Sequence, residues 1–266
     1  YIKHQIVHNP HVVTDLENKG AITVETVEEI PEGSHVVFSA HGSPPEDFQK
    51  AKDKNLIVID AVCPLVTKVH NEAKKYASMG KKIILVGHEG HQEVKGTMGQ
   101  TPMTLVNDKD LKSIPSWDTD SDIAVLTQTT LSVNDTQSIT EKIASDYPDA
   151  TIRNDICYAT TNRQSAVKEM AKKVDAILVI GAEKSSNCNR LKELSLNLGI
   201  PAMLVNNIDE IPPEFITNKQ IIGITSGAST PESLVQKIIA FLEPTKISYL
   251  TTVEEDISFT IRDGII

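Results

Sequence analysis

The sequence predicts an α/β protein made of three pseudo-threefold-related α/β domains, with parallel sheets gathered around a common centre. Three observations predict it. First, short β-branched apolar runs alternate with amphipathic helical stretches, the pattern of parallel sheets covered on both faces. Second, the chain nearly repeats itself: Cys63 in DAVCPLVTKVH and Cys157 in NDICYATTNRQ stand 94 positions apart, as do Gly87 in LVGHEGH and Gly181 in VIGAEKSSN. Third, an Ile-Pro pair recurs three times, at Ile30-Pro31, Ile114-Pro115 and Ile211-Pro212. Each pair precedes an apolar strand ending in a small polar loop (VVFSAHG, IAVLTQTT, IIGITSGAS). Two repeats open with a Cys loop; by the same spacing the Cys loop of the remaining repeat is expected upstream of Tyr1.

In chain order the apolar runs predict strands at 36–40, 56–60, 82–87, 123–127, 176–181, 202–206 and 221–226. Helices are predicted at 63–80, 132–147, 162–174, 187–199 and 231–243, the last with a start signal in Thr230, Pro231 and Glu232. The repeat sets the domains at 1–62, 63–152 and 153–246, the first expected to lack its opening strand and helix. In the tail, 247–266, the alternation ISFTI predicts a strand and a segment closing back over the core.

Composition narrows the function. The 266 residues, 39% hydrophobic, are enough for a sizeable core. No apolar run approaches the ~20 residues of a membrane helix. The net charge of −10 argues against general binding to nucleic acid or an anionic membrane, which needs a basic face. It leaves room for a small anion in a local pocket. Three widely spaced cysteines do not form a secreted disulfide framework and point to a reducing compartment.

In parallel α/β sheets ligands bind at the carboxyl ends of the strands, and there the polar residues collect. Cys63 and Cys157 each precede a helix, where the dipole and free N–H groups favour a thiolate; such thiolates ligate iron–sulfur clusters, although buried structural thiols remain open. His88, His91 and Glu93 lie in GHEGHQEVKG, read as a loop; the His spacing is wrong for a zinc-protease helix. Glu93 is a candidate proton donor, although alone it reads as a solvated carboxylate. His8, His41 and His91 sit in separate strand-end loops, suited to a metal or a phosphate-like anion. Ser185, Ser186 and Asn187 open a helix and Ser229 lies in SGAST: an anion site, ordinary capping, or both. Thr129 and Thr130 offer neutral hydrogen-bonding groups, and Thr160 follows the second Cys. Neither a P-loop nor G-x-G-x-x-G before a helix is present, so nucleotide binding is not indicated.

Together VHN, FSAHG, DAVCPLVTKVH, GHEGHQEVKGTMGQ, TQTTLSVNDT, NDICYATTNRQ, SSNCNRL and SGASTP, in this order from His4 to about Ile257, resemble the LytB-type 4-hydroxy-3-methylbut-2-enyl diphosphate reductase family. The resemblance implies three α/β domains around a central oxygen-sensitive [4Fe–4S] cluster and substrate cavity. It implies reductive dehydroxylation of an allylic alcohol diphosphate to isopentenyl and dimethylallyl diphosphate, the last step of the non-mevalonate isoprenoid pathway. Cys63 and Cys157 match two of the three cluster ligands, Glu93 the proton donor and Thr129 the residue beside the substrate hydroxyl. His8, His41 and His91, with Ser185, Ser186, Asn187 and Ser229, match the diphosphate pocket, and Thr160 lies in the matching motif. The implied electron donor is ferredoxin or flavodoxin, in a bacterial cytoplasm or plastid stroma, with no nucleic-acid or membrane partner. Two departures stand out: the family's Gly-Phe-Cys segment is not in the sequence, and Cys188 occupies a position usually held by Ser. The competing readings are a zinc-dependent hydrolase with Cys and His ligands and a non-catalytic diphosphate-binding module.

Overall fold

The structure is a computed structural model that describes residues 1–256. Its strands are β1 (Ile2–Lys3), β2 (Thr23–Val24), β3 (His35–Phe38), β4 (Ile57–Asp60), β5 (Lys82–Val86), β6 (Thr104–Val106), β7 (Ile123–Thr127), β8 (Thr151–Ile152), β9 (Ala176–Ile180), β10 (Ala202–Val205) and β11 (Ile222–Ser226). Its helices are α1 (Pro10–Asn18), α2 (Pro45–Asp53), α3 (Pro64–Ser78), α4 (Gln92–Met98), α5 (Val133–Asp146), α6 (Tyr158–Met170), α7 (Ser186–Asn197), α8 (Pro213–Ile216) and α9 (Glu232–Phe241).

Three sheets form, ordered β2-β1-β3-β4, β6-β5-β7-β8 and β10-β9-β11. Every pairing is parallel. The common order is the structural form of the sequence repeat: β1, β5 and β9 are equivalent inner strands. Each Ile-Pro pair also has one local cause. A 3-10 turn (Val27–Glu29, Leu111–Ser113 and Ile208–Glu210) ends on the Ile, which the following Pro holds extended.

Continuous apolar strands are sorted onto two faces by their period of two. In β5, Ile83 and Leu85 pack with Val69, Ala73 and Tyr76 of α3; Ile84 and Val86 pack with Ile139 and Ile143 of α5 and with Tyr147. β9 behaves likewise: Ile177 and Val179 face Leu191 and Val167, while Leu178 and Ile180 face Leu234 and Ile238. Both strands are buried along nearly their whole length, which is why neither reads as alternating.

The chain divides into two compact units: Tyr1–Val7 with Val13–Cys157, and His8–Val12 with Tyr158–Ile266. The first holds the sheets of β1–β4 and β5–β8, the second that of β9–β11.

Several expectations are corrected. An inner strand not among those predicted, β1, is only two residues long and so without readable periodicity. The short strands β2, β6 and β8 lack it for the same reason, and α1, α2, α4 and α8 are additional to the predicted helices. The third long helix runs over 158–170 rather than 162–174. Thr230 does not cap α9: its hydroxyl donates to the Ile180 carbonyl at 2.9 Å, and Pro231 is the capping residue. Residues 247–256 form no helix or strand, and ISFTI (257–261) lies outside the described residues.

Candidate functional site

The first unit assembles a proton-bearing pair. GHEGHQEVKG is not the loop expected: α4 begins at Gln92, with His91 as its cap, its Nδ1 accepting from the Glu93 N–H at 3.2 Å. Glu93 therefore sits in the first helical turn and is buried to 3% exposure, not solvated. Its Oε1 accepts from the Thr129 N–H at 2.6 Å, and the Thr129 hydroxyl is a second hydrogen-bond partner. Burial pushes the Glu93 carboxyl up to about 7, against the opposing pull of those two donors. A carboxyl poised there can give or take a proton near neutral pH. Thr129 is itself buried, and its carbonyl accepts the Cys157 N–H at 3.0 Å, so Glu93, Thr129 and Cys157 form one hydrogen-bonded series.

The cysteines are held by a shared device. The Cys63 N–H donates to the Ala40 carbonyl at 3.0 Å, as that of Cys157 does to Thr129. Three residues before each thiol an Asx turn sets the approach. Asp60 Oδ1 accepts the Val62 N–H at 3.1 Å, and Asn154 Oδ1 accepts the Ile156 N–H at 3.2 Å. Asp60 and Asn154 are again 94 apart, so the equivalent of Asp60 is Asn154, not the Asp155 that its residue type suggests. Cys63 caps α3 ahead of Pro64, with no hydrogen bond from its thiol to the helix, and Cys157 directly precedes α6. Neither cysteine is in a disulfide, and both are partly exposed. Thiols at helix starts are the donors an iron–sulfur cluster takes. Among the described residues no group of three or more His, Cys, Asp or Glu is placed to hold a metal ion.

Packing of α4 explains how His41 and His91 come together. A Cβ on Gly96 would lie 2.7 Å from the Gly42 carbonyl oxygen, and one on Gly99 would overlap Pro44. Gln100 Nε2 donates to the Ser43 carbonyl at 3.2 Å. The glycine face of α4 thus seats directly on residues 42–44. The His41 and His91 rings end edge to face, with centroids 6.1 Å apart. Gln128, which the sequence did not single out, ties two loops: its Oε1 accepts the His88 N–H at 3.1 Å and its Nε2 donates to Thr130 Oγ1 at 2.9 Å. His88 itself pairs with Asp108 at 3.0 Å.

The second unit carries the other residues. Ser185 caps α7, its Oγ accepting the Cys188 N–H at 3.4 Å. Ser186 and Asn187 occupy the first turn. Asn187 is buried, and neither amide atom has a hydrogen-bond partner among the described residues. A buried unpaired amide is costly unless a ligand satisfies it. Ser229 Oγ donates to the His8 carbonyl at 3.5 Å. Thr160 is buried on α6. Cys188 is fully buried, and a Cβ on Gly181 or on Gly227 would overlap its Sγ. Burial pushes its thiol up, which keeps it protonated.

Comparisons with known proteins identify the family. The LytB protein family profile matches residues 1–243. The chain is 44% identical to 4-hydroxy-3-methylbut-2-enyl diphosphate reductase of Actinobacillus succinogenes over 98% of its own length and 86% of the relative. It is 46% identical to 4-hydroxy-3-methylbut-2-enyl diphosphate reductase 1 of Rhodopseudomonas palustris, over 98% and 88%. The solved structure of the E-1-hydroxy-2-methyl-but-2-enyl-4-diphosphate reductase from Plasmodium falciparum superposes with a TM-score of 0.92 at 35% identity. That match covers 98% of this chain and 85% of the other. A second solved structure, of (E)-4-hydroxy-3-methyl-but-2-enyl diphosphate reductase, the terminal enzyme of the non-mevalonate pathway, matches with a TM-score of 0.65 at 31% identity. It covers 91% of this chain and 87% of that one. The fold and site define an α/β protein of parallel sheets with paired cysteine loops. The chain belongs to the LytB protein family.

Proposed function

We propose that the chain is a 4-hydroxy-3-methylbut-2-enyl diphosphate reductase. The substrate hydroxyl leaves as water, two electrons and two protons are taken up, and isopentenyl and dimethylallyl diphosphate form. The reading is supported by the relatives' shared activity and, within the chain, by one observation. Glu93 is a buried carboxyl held near pH 7 on Thr129, which is bonded in turn to the loop of Cys157.

Cys63 and Cys157 would hold two corners of a [4Fe–4S] cluster, which when bound supplies the electrons and a Lewis-acidic iron. The protein's own part is proton and anion handling. Glu93 carries the proton, and the Thr129 hydroxyl orients it toward the departing oxygen. His91 accepts the Glu93 N–H at Nδ1, so its neutral ring bears its proton on Nε2 and donates there to the diphosphate. His41 acts as a further imidazole donor. Within the second unit, His8, Ser185, Ser186, Asn187 and Ser229 are the groups that would hydrogen-bond an anion, and the unpaired buried amide of Asn187 supports this. Thr160 contacts the substrate from α6. Electrons come from a small redox protein of the ferredoxin or flavodoxin class, in a bacterial cytoplasm or plastid stroma. No helix among the described residues is long and apolar enough to cross a membrane. A division into domains at 1–62, 63–152 and 153–246 is supported by the like-ordered sheets.

The test is Glu93→Gln, assayed anaerobically with a chemical reductant. The substitution keeps the acceptor oxygen for Thr129 and removes the titrating proton. Cluster absorbance should persist while kcat falls about 100-fold or more. Turnover near that of the unaltered protein would remove Glu93 from the chemistry. Diphosphate binding without any turnover in the unaltered protein would favour the non-catalytic module.

A further inference from the structure

The pair His41–His91 is part of a longer series. His4, placed just after β1, lies edge to face against His41, with centroids 6.3 Å apart and planes at 74°. His41 stands the same way to His91, at 6.1 Å and 86°. Three imidazoles from three strand-end loops thus form one row, with successive ring planes steeply crossed in a favoured aromatic geometry.

Two independent features fix the outer ring. His4 Nδ1 is 2.8 Å from Glu25 Oε2. An ionised carboxylate only accepts, so the proton of this bond belongs to His4 Nδ1, and the ring's rotation is set by it. The His4 backbone is in the left-handed region, at φ 59°, while its N–H donates to the Val24 carbonyl at 2.7 Å. A non-glycine residue held there costs energy that the surroundings must supply, and such residues collect at functional sites. The inner end is fixed as well, by the bond from the Glu93 N–H to His91 Nδ1.

We propose that His4, locked by Glu25, is a positioning residue that holds the His41 ring in register with His91 for binding a diphosphate. The inference rests on the reading of His41 and His91 as anion donors. His4 acts through His41 rather than on the reacting atoms. Its loss therefore weakens anion binding more than it slows the chemical step.

The decisive variant is His4→Asn. Asparagine tolerates the left-handed backbone and can still reach Glu25, so it removes the ring while keeping the turn. Glu25→Ala, at a largely exposed position, instead keeps the ring and frees it. Inorganic diphosphate binding is measured by calorimetry, with KM and kcat alongside and His41→Ala as reference. The expected result is a Kd for diphosphate and a KM raised about tenfold by His4→Asn and less by Glu25→Ala, with kcat within about threefold of the unaltered protein. If His41→Ala weakens diphosphate while His4→Asn and Glu25→Ala both leave its Kd within twofold, His4 has no positioning role. A fall in kcat at unchanged KM and Kd overturns the proposal as well. If His41→Ala itself leaves diphosphate binding intact, the underlying reading of the row fails instead.

Discussion

Glu93 is the proton carrier of the proposed reaction, and its burial makes a prediction of definite sign. Between its ordinary value of 4.5 and about 7, the folded chain keeps a proton that the unfolded chain releases. Stability therefore falls as pH rises through that window, by about 3 kcal/mol in all. Above the window the penalty is constant; below it there is none. His70 runs the other way. Burial, aided by Lys74, pushes its imidazole down to about 4, so it costs stability as pH falls from its ordinary value of 6.5. The two overlap, and only a difference separates them. Denaturant titrations of the protein and of Glu93→Gln, at several pH values from about 4.5 to 8, should diverge upward in favour of the variant. Parallel curves would mean that Glu93 titrates as an ordinary carboxylate. In turnover, the proton-donating form of Glu93 is lost as pH rises through about 7, so the alkaline limb of the kcat profile should report it.

At the scale of elements the deciding contact is α4 on the His41 loop. Gly42 has φ 83°, where only glycine is at ease. A Cβ there would also lie 2.7 Å from His70 Cε1. Gly96 approaches backbone to backbone, so no side chain can swing aside. Gly96→Ala should cost about 1–3 kcal/mol. By tilting α4 it should also raise KM for the diphosphate substrate more than it lowers kcat. Thermal melting and steady-state kinetics read the two effects. A variant with unchanged melting and KM would show that the close approach is not needed. The glycines of GHEGHQEVKGTMGQ were legible as loop signals; that two of them lie on a helix face was not. Glycine marks both a turn and a close approach, and its partner, Gly42, is 54 positions upstream of Gly96.

At the scale of the molecule three sheets of one strand order carry two equivalent cysteine loops. If that equivalence serves a cluster, the thiols should separate cleanly by role. Cys63→Ser and Cys157→Ser should each lower iron and acid-labile sulfide in anaerobically purified protein several-fold. Cys188→Ser should leave both nearly unchanged, because Cys188 is a buried, protonated thiol packed on Gly181 and Gly227. Equal metal loss in all three would assign Cys188 to the cluster. Zinc without sulfide would point to the hydrolase.

The sequence by itself determined the α/β class, the long strands and helices, the 94-residue repeat and the motifs that mark the family. These are local or periodic properties: an apolar strand buried on both faces declares itself in consecutive residues, and a repeat in spacing. The Cys loops are legible in the same way, and Asn154 is marked by the same spacing although not by residue type. The tertiary structure alone decided which polar groups lose water and which rings meet. Glu93 reads as a solvated carboxylate until Thr129, 36 positions on, closes over it. His4 has no signal at all, because its strand is two residues long and its partners are Glu25 and His41. Burial and ring contact depend on residues distant in the chain, and no local pattern encodes them.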